Sequence, residues 1–413
     1  MQNLFNTSAL MSSALSTQSF QFKTFSALVL LCTFTLMSVP SYADETTSTM
    51  QTVQNRVELG GAVRMRFDYD PDRDTRKLSF DTAILNLDFY HDQFSGHIEH
   101  RFLGGAYPYE YTEHIGDVNF AKKAYLEYAV DPQQSIQVGL NQVPIGIQPY
   151  YTSTVIESLA YIAGIEDLYR VGAKYHYKQD NYDVYAAYYA SNPWKGKGTS
   201  QGAYYSNQII PADESLDNGT SYKEHDAVAL QYNYSHQSGN WLSNYGISGY
   251  YARLKSKLIE DKDGHRGIYA LHYGINKDRL GLKFVSLFNH IDTPYDQTTF
   301  GAYDGTFNVA NKGILYSLDL NYKIPEFNVK DVHDFNVYMH YSLYDKSKKA
   351  FLDSNQLVFG SAFTYKKNLY IAAEWLFGKN SPYIGGSSYS QSLAAGGSNQ
   401  WENQVNVNIG YYF

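Results

Sequence analysis

The stretch VELGGAVRMRFDY sets Val57, Leu59, Val63, Met65, Phe67 and Tyr69 on one side of a period-2 pattern and Glu58, Arg64, Arg66 and Asp68 on the other. The chain closes the same way, on VNVNIGYYF, where Val405, Val407, Ile409, Tyr411 and Phe413 alternate with Asn406, Asn408, Gly410 and Tyr412. Alternation of this kind predicts a strand with one apolar and one polar face. It does not say which face meets the core, because a soluble sandwich alternates too. An apolar strand at the chain end would expose a sticky edge unless something pairs with it.

Spacing narrows the choice. Sixteen strand segments are predicted, near 56–70, 76–90, 93–103, 117–130, 134–143, 168–178, 181–191, 225–235, 241–254, 267–276, 279–290, 312–324, 333–345, 355–366, 368–379 and 401–413. Their connections alternate between short turns, such as His91-Asp92 and Gln179-Asp180, and long loops at 104–116, 144–167, 192–224, 255–266, 291–311, 346–354 and 380–400. Only the first of the second set, around Pro71, is short. Each segment has about the 9–11 residues that a tilted membrane strand needs. Short turns on one rim and long loops on the other predict an all-β fold: a transmembrane antiparallel β-barrel of about sixteen strands, with short periplasmic turns and long extracellular loops. Eighteen strands would follow if 192–224 or 291–311 hides a hairpin. Closure would pair the last strand with the first and cover its edge.

Composition fits that reading. The 413 residues include 41 Tyr and 22 Phe, ring side chains suited to strands and membrane interfaces. The mean hydropathy of −0.42 excludes a helical membrane protein. Lys23 and the apolar run TFSALVLLCTFTLMSVPSYA predict a signal peptide over 1–43, cleaved before Asp44. Residues 44–54 then form a short periplasmic segment and 55–413 the barrel. Met11 is an alternative start. The single cysteine, Cys32, lies in the apolar run, and Leu31 before it argues against lipidation. Removing residues 1–43 moves the net charge from −8 to −9, which argues against nucleic acid as a partner.

A lysine or arginine facing lipid at mid-depth costs about 2–4 kcal/mol, so charge fixes which face looks inward. The rule points Arg64, Arg66, His97, Glu99, Arg101, Lys123, Glu127, Arg170, Lys174, His176, His272, Lys283, Asp319, His340 and Glu374 into the lumen. Two residues break it: Lys122 and His100 fall on the lipid phase of their strands, which a missed bulge or snorkelling would explain. The pore-lining candidates are therefore Arg64, Arg66, Glu99, Arg101, Lys123, Glu127, Arg170, Lys174, Lys283, Asp319 and Glu374. The loop PIGIQPYYTSTVIESLAYIAGIED (144–167) is too apolar for open solvent, and the expectation is that it folds inward as a constriction. Its candidates are Tyr150, Tyr151, Glu157, Tyr161, Glu166 and Asp167; the tyrosines either pack or offer sugars a stacking surface. No strand-to-helix elbow presenting a nucleophile and no metal-ligand spacing stands out, so no enzyme, metal or cofactor is expected. The long loops leave adhesion or phage binding open, and a barrel enzyme is the remaining alternative.

VGLNQVPIGIQPY carries a G-x-x-x-x-P-x-G stretch that resembles the end of the fifth strand of bacterial porins, and AKKAYLEYAV resembles the strand before it. With the terminal Phe413, the nearest resemblance is to the phosphate-selective porin family. It implies an outer-membrane location in a Gram-negative bacterium, lipid and lipopolysaccharide as surroundings, and a homotrimer. It also implies insertion by the barrel-assembly machinery through the last strand, and passive diffusion of small hydrophilic solutes, including anions such as phosphate. One departure stands against phosphate. Residues 144–167 contain no Lys or Arg.

Overall fold

The computed structural model describes residues 55–71, 74–105, 111–200, 202–213, 215–258, 262–325, 329–384 and 388–413. The signal peptide and the segment 44–54 lie outside them.

The alternating segments become strands β1 (Arg56–Asp70), β2 (Thr75–His91), β3 (Phe94–Leu103), β4 (Val118–Asp131), β5 (Gln134–Gln142), β6 (Tyr169–Lys178), β7 (Tyr182–Ser191) and, after a short β8 (Gln208–Ile209), β9 (Tyr222–Ser238). There follow β10 (Trp241–Ser256), β11 (Gly264–Lys277), β12 (Leu280–Asp292), β13 (Gln297–Gly301), β14 (Thr306–Ala310), β15 (Lys312–Lys323), β16 (Val332–Lys346), β17 (Ser354–Tyr365), β18 (Leu369–Lys379) and β19 (Trp401–Tyr412). Among the described residues sixteen of these close an antiparallel barrel; β8, β13 and β14 form a separate three-stranded sheet. The 291–311 loop thus does hold a hairpin, but its strands pair with β8 instead of entering the wall. The barrel count stays at sixteen.

Closure meets the need of the last strand. Met65 lies opposite Ile409 and Phe67 opposite Val407. Beyond the ladder the Gly61 amide donates to the Phe413 carbonyl at 3.0 Å and the Phe413 amide to Gly61 at 3.1 Å. Among the described residues the barrel sheet keeps no free edge for another chain to extend.

The outer wall is apolar to a degree that water would not tolerate. Val57 is 72% exposed, Leu230 63% and Ile247 56%, beside Leu59, Val138 and Leu271. A contiguous belt of this kind marks a surface covered by something other than water; on a closed barrel it is the lipid-facing band. No helix among the described residues is long and apolar enough to cross a membrane.

The interior is asymmetric. Behind β6–β16 the upper lumen is filled by a dry core in which Leu159, Ile162 and Ile165 of the 144–167 loop pack with Tyr189, Tyr250, Leu254, Ile268 and Leu287 of the wall. Ile209, Phe300, Phe307 and Leu393 from the other long loops complete it. Open space remains against β1, β3, β18 and β19, and against β7–β15 toward the short-turn rim.

Candidate functional site

The loop 144–167 crosses the lumen. Its base is closed by the Val143 amide donating to the Leu168 carbonyl at 2.8 Å. Gly146, at φ +65°, makes the inward turn, and a Cβ there would lie 2.5 Å from the Tyr151 hydroxyl. The Ser248 hydroxyl accepts from the Gly146 amide at 3.0 Å. At the far wall Asp319 accepts from the Ser153 amide (2.8 Å) and hydroxyl (2.7 Å), and Glu374 accepts from the amides of Val155 (2.6 Å) and Ile156 (3.0 Å). Gln356 donates to the Glu157 carbonyl at 2.9 Å. The return leg starts with a single helical turn, α1 (Leu159–Ile162), capped by the Ser158 hydroxyl, which accepts from the Tyr161 amide at 3.1 Å.

Between this loop and the wall lies a cavity of about 340 Å³ lined by Arg64, Arg101, Thr152, Thr154, Glu157, Glu166, Asp167 and Tyr205. A second space, about 620 Å³, opens toward the short-turn rim, and Ser153 lines both. The first lies against the inward loop. Its wall is a ladder of ion pairs: Arg64 to Asp81 at 2.5 Å, Arg66 to Asp68 at 2.7 Å, Arg101 to Glu99 at 2.7 Å, and Lys122 to Asp167 at 2.9 Å. Arg101 and Lys122 also sit 4.6 and 4.5 Å from the ring centre of Tyr205. Opposite them the loop presents Glu157 and Glu166. Burial pushes the Glu166 carboxyl up to about 7, with the Ser158 hydroxyl and the Tyr151 amide opposing that rise. Burial raises Glu157 as well, against the pull of its own backbone amide and of Arg66.

Two bulges build the ladder. In β2 the register shifts so that Arg64 faces Thr82 and Met65 faces Phe80, leaving Asp81 between them as an extra residue. In β4 it shifts so that Glu99 faces Lys123 and His100 faces Ala121, leaving Lys122 unpaired in the ladder. An extra residue lets two successive side chains share one face. Lys122 therefore points inward, 2% exposed, and the lipid-facing position that alternation gives it is corrected. Its amine also donates to the Tyr150 hydroxyl at 3.0 Å. His100 stays on the outer face, its ring nitrogen 3.3 Å from the Asn119 amide oxygen.

The remaining candidates separate into groups. Asp319 and Glu374 are loop anchors, and so is Lys283, which donates to the Tyr150 carbonyl at 3.0 Å. Lys174 donates to the Gln142 carbonyl at 2.9 Å. Glu127 accepts from Gln137 at 3.0 Å. Arg170 does not line open space: it is 0% exposed, 2.7 Å from Glu224. Tyr151 and Tyr161 are not stacking surfaces either, since both are buried and spend their hydroxyls on the carbonyls of Ile145 and Tyr205. Tyr150, 43% exposed, keeps an open face. Asp81, Tyr205 and the inward Lys122 escaped the sequence reading, the first two for want of a pattern that marks them.

These features define a class: a multi-pass, sixteen-stranded β-barrel of the outer membrane, with porin architecture and a loop folded into its lumen. Solved structures of that class superpose on it. The anion-selective porin from Comamonas acidovorans does so with a TM-score of 0.56 at 14% identity, over 87% of this chain and 100% of its own. The outer membrane channel DcaP of Acinetobacter baumannii gives 0.58 at 14% identity, over 87% and 97%. OmpF of Salmonella typhi, in complex with daunomycin, gives 0.55 at 14%, over 87% and 98%. Identities this low speak to the fold alone. No family model matches the chain, and no curated protein matches it.

Proposed function

We propose that the protein is a porin: a water-filled channel for passive diffusion of ions and small hydrophilic solutes, with its filter at the gap between the 144–167 loop and the Arg64–Arg66–Arg101 wall. The observation that carries this reading is the loop itself, pinned across a closed barrel so that a charged cavity of about 340 Å³ is left beside it. Charged rings at a constriction are how such pores select. Arg64, Arg66, Arg101 and Lys122 each have a carboxylate partner, so the filter offers little net charge and suits solutes of either sign. A dedicated phosphate filter would call for cations left over to meet the anion; among the described residues of this wall Lys123 has no ion-pair partner, and it lies opposite Glu99. Phosphate is then one permeant among several.

The test is the reversal potential of the purified protein in a planar bilayer under a KCl gradient. Stepwise conductance with weak selectivity is expected. Replacing Arg64 and Arg101 by Glu should turn it clearly toward cations, by about tenfold in the permeability ratio, since two like charges then join Glu157 across the gap. Absence of conductance from folded protein, or a reversal potential unmoved by the double variant, would count against the channel and the filter respectively.

Acidity supplies a second check. Guanidinium groups hold their charge at every accessible pH, whereas Glu166 loses its own as pH falls through about 7, and burial raises Glu157 too. Lowering the pH from about 8 to 5.5 should therefore move the reversal potential toward anions. The sign for loop packing is the matching one. A carboxyl whose folded value is raised favours the docked loop most when protonated and least above about 7. Glu166→Gln should flatten the pH response; an unchanged response in that variant would remove Glu166 from the filter.

A further inference from the structure

On the short-turn side of the loop, the inner wall of β10–β15 is bared by glycine where its neighbours carry amides. Asn244 of β10 faces Gly274 of β11, which faces Lys283 of β12. One row nearer the short turns Asn276 faces Gly281, which faces Asn321 of β15. Both rows look inward, since Lys283 and Asn321 reach the loop at Tyr150 and Ser153. A Cβ built on Gly274 would find no heavy atom nearer than 3.8 Å. One built on Gly281 would lie 3.3 Å from Asn276 Oδ1 and 3.8 Å from Asn321 Cβ. The two glycines thus form an open floor with carboxamides on its flanks. Gly146, Ile147 and Gln148 close it from the loop side, and the space between is the cavity of about 620 Å³.

The charges around this trough already have partners. Lys283 donates to the Tyr150 carbonyl, and Asp319 accepts twice from Ser153. Asp183 accepts from Asn233 at 3.1 Å, Asp278 from Asn240 at 2.9 Å, and Lys323 lies 2.6 Å from Asp334. Among the described residues Arg279, on the turn, is the one lining charge left over. What remains free is amide and imidazole. Asn233 Oδ1 and His272 Nδ1 have no hydrogen-bond partner, and His272 is 8% exposed. Asn244 accepts from the Ser235 hydroxyl at 2.7 Å and keeps its Nδ2 free. Among the described residues the Asn276 carboxamide has no partner at all.

We propose that this trough is a subsite for short peptides, held through their main chain. A carboxamide presents an N–H and a C=O in one plane, as a peptide group does, so the two pair by parallel hydrogen bonds. Along an extended chain, peptide groups that face the same way recur about every 7 Å. Asn276 and Asn321 stand two strand spacings apart, about 9–10 Å at the backbone, and both flank the bare point at Gly281. A peptide crossing that floor meets both. Glycine is what lets a second backbone approach so closely. The peptide's own side chains then point into open lumen, so the subsite selects peptide groups and not a sequence. A saccharide of the same size offers hydroxyls without the paired planar donor and acceptor. The proposal deepens the channel reading and rests on it only for the peptide's passage; binding itself needs just the open short-turn rim.

The test is saturation-transfer NMR on the folded protein in an amine-oxide detergent, with triglycine, the uncharged N-acetyl-triglycine amide and maltose as probes. Both peptides should bind the parent within about twofold of each other, and maltose about tenfold more weakly. A hydrogen bond contributes about fivefold in affinity, so Asn276→Ala/Asn321→Ala should bind the peptides about 25-fold more weakly. Gly274→Leu keeps every amide but fills the floor, where its side chain has room, and should weaken binding about tenfold. Circular dichroism shows that each variant has folded. Equal binding by the double variant and the parent, or undiminished binding by Gly274→Leu, overturns the proposal. So does equal binding of maltose and peptide, or of triglycine without its capped form, which would mark a general polar wall or an end-charge site. No peptide signal from the parent at about 100 mM overturns it as well. Conductance of the parent keeps the two readings apart: peptide binding without conductance strikes the channel alone, and conductance without peptide binding strikes the subsite alone.

Discussion

Replacing Glu224 by Ala should destabilise the barrel by about 3–5 kcal/mol, the effect of leaving buried charge without its partner. Arg170 and Arg266 both lie at 0% exposure on the inward faces of β6 and β11, and Glu224 stands between them at 2.7 and 3.6 Å. Around the triad is the dry core: Tyr250 reaches the same carboxylate at 3.5 Å, the Ala163 carbonyl of the loop accepts from Arg266 at 2.9 Å, and the Phe300 ring centre lies 5.0 Å from its guanidinium. Without Glu224 two guanidinium groups would face each other where water cannot screen them. The measurement is the urea midpoint of the protein refolded into lipid vesicles, read from tryptophan fluorescence. The triple variant Arg170→Met/Glu224→Leu/Arg266→Met should recover most of the loss, because removing every charge removes the unpaired one. A midpoint unchanged in Glu224→Ala would show that the triad is solvated and the core not dry.

The barrel was legible because its signal is redundant. Sixteen alternating segments and the parity of turns and loops both point to one closed sheet. The inward fold of 144–167 was legible for a related reason: a segment as apolar as IESLAYIAGI needs an interior to pack on. What alternation hides is any local break in it. Lys122 and Asp81 join the inward ion pairs through single extra residues, and a period-2 reading passes straight over a bulge until a charge lands on the wrong face. Lys122 gave that warning; Asp81, beside a run of mixed polarity, gave none. Arg170 shows the other limit. Charge says that a residue faces inward, but not whether the space there holds water or protein. A signal for the second was present in the neighbouring strands. Tyr250 to Leu254 and Ile268 to Leu271 are rich in apolar residues at both parities, which on a barrel wall means lipid outside and a packed core inside.

Cutting the far anchors of the loop should produce the largest change in transport. Asp319 and Glu374 together accept four hydrogen bonds from Ser153, Val155 and Ile156, and the Tyr338 hydroxyl orients Glu374 at 2.8 Å. Hydrogen bonds to a charged group contribute about 1.5–3 kcal/mol each when the geometry is good. Losing even two of them would raise the undocked fraction of the loop tip by about a hundredfold or more. The α1 end should stay in place, since Leu159 and Ile162 are buried in the core on the opposite side. The double variant Asp319→Ala/Glu374→Ala is thus expected to fold, to conduct more per channel with frequent flicker between levels, and to admit neutral solutes larger than the parent passes in liposome swelling. Its ion selectivity should weaken at the same time, because Glu157 would no longer be held opposite Arg64. Larger conductance with selectivity intact would mean that the wall ladder filters alone. Unchanged conductance would place the narrowing elsewhere in the lumen.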